Sequence, residues 1–523
     1  MGDGCSSRLY DNILYVGGSG PGNYTSIQEA INDAVDGDTI FVYSGVYHED
    51  IIINKSISLI GEDKDTIIIY NSSRGFFHEE VIHVISNNVV ISGFTVENIM
   101  DYGRGVKLDG VENCRIGNTC IRDNGYGISL VDSTNCGIID NIVIRNYQEG
   151  ISVDTSTSCI VVGNLVKDNE EGIYITSSSS CIISSNLVYK NSYGIELISS
   201  YNCSITSNTI IEGGVFLHGS SIEQLITHRI DTNTVNGKPV YYLKNINNES
   251  ISSIDVGEVI LVNCSDLEIG NIDISDATVG IEILYSSGVD IVDTYLNYSS
   301  VDIYYSDRIG IYNSKILGNG RDSVSFYHSD NNSIYNTIIL GGSYGISFTS
   351  SMRNSIRNCD IHSNRYTCVA FSQSSENSMY KCVMTNDAEC IMLFSYSIRN
   401  SFKSCRISSR YSFGVYLEDF SDGNKFYRCN ISDSLYGVFL GLSHDNKFLE
   451  NNFIGNLEDV YFYNSFLNTW FRNYWSNWIG LLPKPLKGCI YTDFDINLHI
   501  PVINFDWHPA RKPYDIGGGM EYG

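Results

Sequence analysis

The sequence predicts an all-β protein: a single-stranded, right-handed parallel β-helix with three strands per coil, an N-terminal capping helix and an irregular Trp/Pro-rich C-terminal cap. Three observations predict it. From Gly105 to about Gly213 one short sentence is written five times, with glycines at Gly105, Gly127, Gly150, Gly172 and Gly194 and steps of 22, 23, 22 and 22 residues. Each repeat holds three short runs, such as Gly-Ile-Ser-Leu, Cys-Gly-Ile-Ile and Asn-Ile-Val-Ile, alternating with period two between Ser, Asn, Asp and Gly. Of seven prolines, Pro483, Pro485, Pro501, Pro509 and Pro513 lie in the tail, so the body reads as continuous ladder and the tail does not. A period in the low twenties makes each repeat one turn of a solenoid that cannot bury its apolar face alone. Leucine-rich repeats would need a helical half and a leucine signature in each unit. The hand follows from the preference of parallel crossovers.

Residues 1–75 read as the N-terminal cap and first coils. Ser26 caps a short helix with Ile27, Ala30, Ile31 and Ala34 on one face and Glu29 in its first turn, and Asp36-Gly37-Asp38 ends it. Such a helix covers the open end of a solenoid, which otherwise exposes core and unpaired backbone.

Residues 76–213 form the first coil block. Nine residues past each glycine stands a cysteine, Cys114, Cys136, Cys159, Cys181 and Cys203. An asparagine ladder follows at Asn118, Asn141, Asn164, Asn186 and Asn208, and a second at Asn124, Asn146, Asn169 and Asn191. Residues 214–262 break the period and read as an interruption, with a hairpin signal at Asn236-Gly237.

In the second block, 263–469, the markers Gly345, Cys368, Cys390, Gly414, Gly437 and Asp459 repeat every 22 to 24 residues. Here asparagine takes the earlier slot (Asn354, Asn377, Asn400, Asn424, Asn446, Asn468). The later slot holds Cys359, Cys382, Cys405 and Cys429, then Asn452 and Asn473. Cys and Asn have exchanged slots, which a metal or disulfide role would not survive. Two interior turn sites that accept either side chain would produce it. The ladder thiols are therefore expected reduced and buried, and the amides stacked between coils. Cys5 and Cys489, outside the ladders, are the better candidates for a bond. Residues 470–523 are the C-terminal cap.

A net charge of -27 argues against a nucleic-acid partner, and no apolar run is long enough to span a membrane. No signal peptide is visible at Met1, while the opening Met-Gly-Asp-Gly-Cys-Ser fits a myristoylation pattern that short sequences match by chance. Nine Asn-x-Ser/Thr sequons are compatible with export. Eighteen residues past the repeat glycine, Asp123, Arg145, Asp168, Lys190 and Glu212 form an alternating-charge row that reads as a solvated face.

The helix, Gly-Asp turn, strand and Gly-x-Tyr-x-Glu of Ser26–Gly61 look like the start of pectin-lyase-like right-handed β-helix proteins. The coils, the segment from Ile230 to Lys244 with Asn-Gly-Lys-Pro-Val-Tyr-Tyr, the end signature Asn473-Tyr-Trp-Ser-Asn-Trp478 and Pro513-Tyr-Asp-Ile516 resemble the NosD-like family, in particular archaeal surface proteins with many repeats. This resemblance implies an exported β-helix at the cell surface or outside it, associated with carbohydrate or envelope components. The motifs of pectin and alginate enzymes, such as Asn-Thr-Asp or Gly-His-Gly, are absent. Relatives carry an Asp-Gly-rich loop before Pro-Tyr; here Asp493 and Asp495 remain without the glycines. No cofactor is expected beyond a weak place for calcium at those aspartates. The copper-accessory role of the family's namesake finds no His-x-His or Met-rich cluster.

The favoured expectation is a non-catalytic surface protein that binds polysaccharide or envelope components or builds an assembly, oligomers included. Trp470, Trp475 and Trp478, with Tyr241, are its candidate sugar-stacking residues. The alternative is a polysaccharide lyase or glycoside hydrolase sited in the interruption, where His218, Glu223, His228, Arg229, Asp231, Lys238, Tyr241 and Lys244 concentrate titratable groups. There His228, Asp231 and Lys238 are the candidate catalytic residues.

Overall fold

The computed structural model describes residues 12–71, 80–98, 103–362, 364–479, 481–492 and 498–517. The chain divides into two compact units, 1–242 and 243–523, and the division falls inside the segment that the sequence sets apart as an interruption.

In the first unit the coils from Thr39 onward each contribute one strand to each of three parallel walls, as Glu149–Asp154, Ile160–Val162 and Leu165–Lys167 do. Like residues stack on like: Ile128, Ile151, Ile173 and Ile195 are successive register partners, as are Leu130, Val153, Ile175 and Leu197. All eight are buried, which is why a two-residue alternation suffices to specify the interior. The tight connections each carry one residue in the left-handed region, among them Asp140 (φ 56°), Ser185 (φ 56°) and Ser207 (φ 57°). The alternating-charge row Asp123, Arg145, Asp168, Lys190, Glu212 occupies such positions too, with Arg145 bonded to both oxygens of Asp123. It is a solvated face.

Helix α1, Ile27–Asp33, covers the first coil. Ser26 is its N-cap, and its Oγ accepts from Glu29 N at 3.3 Å. The Glu49 carboxylate accepts from Ile27 N and Gln28 N, and Lys55 Nζ donates to the carbonyls of Ile31, Asn32 and Ala34 at the other end. Both helix ends are thus satisfied by the coil beneath, with charges of the sign each end prefers.

The walls continue past Gly213. Strands Val215–His218, Arg229–Asp231 and Thr234–Val235 register on the preceding coil. The period was masked because helix α2, Ile222–Ile226, lengthens this coil. Asn236 and Gly237 (φ 52° and 80°) then make the two-residue turn of a hairpin, pairing Val235 with Lys238.

The second unit repeats the three-wall plan. Ser250–Ser252 and Glu258–Val262, inside the segment read as an interruption, already pair with the coils that follow. Its interior is aromatic: Phe402, Phe426, Phe448 and Trp470 stack with centroids 4.5, 5.0 and 4.2 Å apart. The tail departs from the expected irregular cap. Lys484–Thr492 and Leu498–Asp506 form a long antiparallel ribbon despite Pro485 and Pro501, since ribbons and open edges tolerate a missing donor.

Candidate functional site

The ladder slots hold scaffold. In the first unit Asn141, Asn164, Asn186, Asn208 and Asn233 form a chain in which each amide donates to the next Oδ1 at 2.9 to 3.1 Å. Asn118 is not its head; Thr119 stands in that slot, and its backbone N–H donates to Asn141. Asn124, Asn146, Asn169 and Asn191 make the second chain. In the second unit Asn354, Asn377, Asn400 and Asn424 stack alike. The later slot there passes from Cys429 to Asn451 rather than Asn452, whose side chain instead bonds the Tyr514 backbone.

All described cysteines are buried and unbonded. Cys5 lies outside the described residues. In the first unit the ladder thiols Cys114, Cys136, Cys159, Cys181 and Cys203 donate to main-chain carbonyls. The hydrogen bond to Cys136, then burial, pushes the Cys114 thiol up. In the second unit burial holds Cys359, Cys382 and Cys405 well above the ordinary range, and Cys429 fills the same slot. Cys114, Cys359, Cys382 and Cys405 therefore stay protonated and unreactive at neutral pH.

The candidate catalytic residues do not face one space. His228 is 1 % exposed, and its Nδ1 accepts from Cys203 N at 3.2 Å, so it continues the cysteine slot into the next coil. Asp231 points outward beside Arg229 at 3.4 Å, and Lys238 follows the hairpin turn. One lies inside the wall and its intended partner outside it, because inward turn and outward strand positions alternate.

Trp470 and Trp475 cannot stack on sugars: they are 4 % and 1 % exposed and end the interior aromatic stacks, Trp475 lying 4.1 Å from Phe453. Trp478 is half-exposed, with its Nε1 donating to Leu482 O and Lys484 Nζ 5.5 Å from its ring. Tyr241 is half-buried on Lys238–Lys244. Asp493 and Asp495 lie outside the described residues.

Three groupings escaped the sequence reading. On the first unit's long wall Glu149 and Glu171 are register partners on adjacent coils, each with one oxygen buried and unbonded. Burial, then the charges of Glu149 and Glu170, pushes the Glu171 carboxyl up to about 7; burial raises Glu149 as well. The signal was the residue before each repeat glycine, Glu149-Gly150 and Glu171-Gly172. In the second unit a surface cavity of about 260 Å³ is lined by Tyr436, Asp459, Asn477 and Lys484, with Lys484 bridging the other two polar groups.

The third grouping is two stacks of aromatic rings on the second unit's outer turns, with Ser350 and Gln373 on the coils between them. Tyr285, Tyr305 and His328 stack at 4.9 and 5.0 Å, nearly parallel, and Tyr396 and Phe420 stack at 5.4 Å. Tyr305, Tyr396 and Phe420 are 41 %, 62 % and 41 % exposed. All five have positive φ, a conformation bulky residues seldom adopt. Its signal was an aromatic residue recurring just after the alternating run of a coil, as in Leu284-Tyr285 and Tyr304-Tyr305.

A titration test follows from the carboxylate pair. The folded state raises Glu171 from 4.5 to about 7, so its contribution is fully present below pH 4.5 and lost as pH rises through 7. Glu171→Gln is expected to be more stable than the parent at pH 8 by about 1–2 kcal/mol after screening of a half-exposed group. The gain should vanish at pH 4.5. Thermal melts at the two pH values check this.

The family model described as periplasmic copper-binding protein (NosD) matches residues 31–215 and 85–253, and that of the right-handed β-helix region matches 299–454. The chain is a right-handed β-helix repeat protein whose residues 31–253 resemble the NosD family. A cell surface glycoprotein of Methanothermus fervidus is 34% identical over 102 residues, 19% of this chain and 16% of that protein. Among solved structures, the family 28 exopolygalacturonase of Yersinia enterocolitica is 14% identical with TM-score 0.33, covering 61% of this chain and 76% of its own. Pectin methylesterase PemA from Erwinia chrysanthemi is 11% identical with TM-score 0.29, covering 45% and 91%. At these scores neither bears on this chain's chemistry. For copper, the donor set is the test: no three His, Cys, Asp or Glu side chains gather into a metal-holding group among the described residues.

Proposed function

We propose that this NosD-like protein works at the cell surface or outside the cell as a non-catalytic scaffold that binds polysaccharide or other envelope polymers along its length. The observation that carries this reading is the pair of aromatic stacks on the outer turns, Tyr285–Tyr305–His328 and Tyr396–Phe420. Flat aromatic rings, most with a polar edge, set on rigid turns form the surface on which sugar rings stack. The match to a cell surface glycoprotein supports the location.

The test is incubation with a panel of neutral and acidic polysaccharides, scoring retention together with new reducing or unsaturated ends. Retention without new ends is expected, and Tyr396→Ala with Phe420→Ala should weaken it at least fivefold while melting is unchanged.

A second reading has one observation in its favour. Glu149 and Glu171, one strand spacing apart with a raised carboxyl, resemble the acid and partner of a glycoside hydrolase. Polymer cleavage abolished by Glu171→Gln would favour this reading and overturn the first.

A further inference from the structure

We propose that the second unit's middle wall, over residues 355–449, holds an acidic polysaccharide, a uronate- or sulfate-bearing chain lying along the stacking direction. This rests on the polymer-binding reading above and names its ligand class.

Five consecutive strands make this wall: Ser355–Arg357, Ser378–Tyr380, Ser401–Lys403, Lys425–Tyr427 and Lys447–Leu449. In each the middle residue is buried and the outer two face solvent. The ten outward positions carry four cations (Arg357, Lys403, Lys425, Lys447), two tyrosines, three serines and a leucine, and no carboxylate. The whole chain has a net charge of -27, so this is a local reversal. The same wall carries Glu268 and Asp290, register partners, on its earlier coils.

The cations are aligned. Arg357, Tyr380, Lys403 and Tyr427 are successive register partners, as are Lys425 and Lys447. Neighbouring strands are ~4.8 Å apart, so positive charge recurs along the axis at the scale of a polymer repeat. Lys403 Nζ lies 5.6 Å from the Tyr380 ring and 6.0 Å from that of Tyr427, and Lys425 Nζ lies 5.6 Å from Tyr427. Those contacts hold the ammonium groups over the wall. Lys381 and Arg428 extend the row at the following turns. Arg428 is paired with Glu450, but among the described residues no carboxylate comes within 4.0 Å of Lys381, Lys403, Lys425 or Lys447.

A row of uncompensated cations interleaved with aromatic rings matches a polymer that alternates anionic groups with C–H-rich ring faces. A single small anion would need a converging pocket, which a flat wall lacks. The attraction is between solvated charges, so it weakens with salt.

The test uses the full chain, with polygalacturonate and heparin as acidic polysaccharides, dextran as a neutral one and single-stranded DNA as a polyanion without the sugar class. At low salt the acidic polysaccharides should bind, dextran should not, and Lys403→Glu with Lys425→Glu should weaken binding at least tenfold. Both side chains are exposed, so melting should not change; Lys403→Gln with Lys425→Gln should give an intermediate loss. Dextran bound as well as polygalacturonate, with the charge-reversed variant unaffected, overturns the acidic assignment and leaves the polymer reading standing. DNA bound as tightly as heparin overturns the polysaccharide class. A change of oligomeric state in the charge-reversed variant with unchanged polysaccharide binding overturns the proposal in favour of contact with an acidic face of a second copy. No retention on any polysaccharide overturns both readings.

Discussion

Asp506→Ala is expected to destabilise the second unit by about 3–5 kcal/mol and to open its C-terminal end first. The reason lies in how an asparagine ladder ends. Each rung donates a backbone N–H and a side-chain amide to the oxygen one coil on, so the final rung needs an acceptor where no coil follows. Asn451 donates to Asn473 at 2.9 and 3.1 Å, and Asn473 donates to Asp506 Oδ2 at 2.8 and 3.1 Å. Trp475 Nε1 donates to the same oxygen at 3.2 Å. Asp506 is fully buried and arrives on the second strand of the terminal ribbon, so one carboxylate closes both the amide ladder and the indole that ends the aromatic stack. Alanine leaves the Asn473 N–H and Trp475 Nε1 without an acceptor and takes one of two from Asn473 Nδ2, which keeps Phe448 O. Asp506→Asn keeps an acceptor oxygen and should cost about 1–2 kcal/mol. Because solenoid coils contact only their neighbours, the damage is local. Hydrogen exchange should show Asn473 and Trp475 losing protection before the interior coils, with a red shift in tryptophan fluorescence. Unchanged protection there would refute the account.

The sequence states the scaffold clearly because each slot repeats. Cys159 and Asn164 recur with their neighbours at fixed offsets, Ser26 and Glu29 mark a helix start, and Asn236-Gly237 marks a turn. Each rests on local chemistry or on a periodicity that one chain displays by itself. The failures occur where a step changes length or where a wall must be assembled before its pattern exists. His228 stands 25 residues past Cys203 because α2 lengthens the coil, so a ladder residue looked like an isolated titratable one. Trp470 looked like a sugar platform, although Phe402, Phe426, Phe448 and Trp470, 24, 22 and 22 residues apart, already spelled an interior stack. Arg357, Lys403 and Lys447 lie dozens of residues apart and belong to one surface only once the register is known. The candidate ligand surfaces were therefore hidden in rows across coils, not in any contiguous motif.

The exchange of Cys and Asn between slots makes a second prediction, in which two substitutions in one unit should differ sharply. Asn186→Ala is expected to cost about 2–4 kcal/mol. Asn186 Oδ1 accepts from both Asn164 N and Asn164 Nδ2 at 2.9 and 3.0 Å, while its own amide serves Val161 O at 2.8 Å and Asn208 at 2.9 Å. Alanine removes the acceptor for two buried donors and a donor for two buried acceptors, and leaves a gap that backbone stacking cannot close. Cys159→Asn, one slot earlier, should cost about 1 kcal/mol or less, since it approximately conserves volume. Its thiol contacts Ser133 O at 3.7 Å, and in the second unit Asn377 occupies the matching slot with its amide on Ser351 O at 3.0 Å. An amide at 159 thus finds the carbonyl the thiol already used, and its oxygen faces the N–H of Cys136. Denaturant melts of the two variants decide the matter. A larger loss for Cys159→Asn than for Asn186→Ala would mean that the slots are not equivalent, and that the first unit needs its thiols for something other than filling the turn.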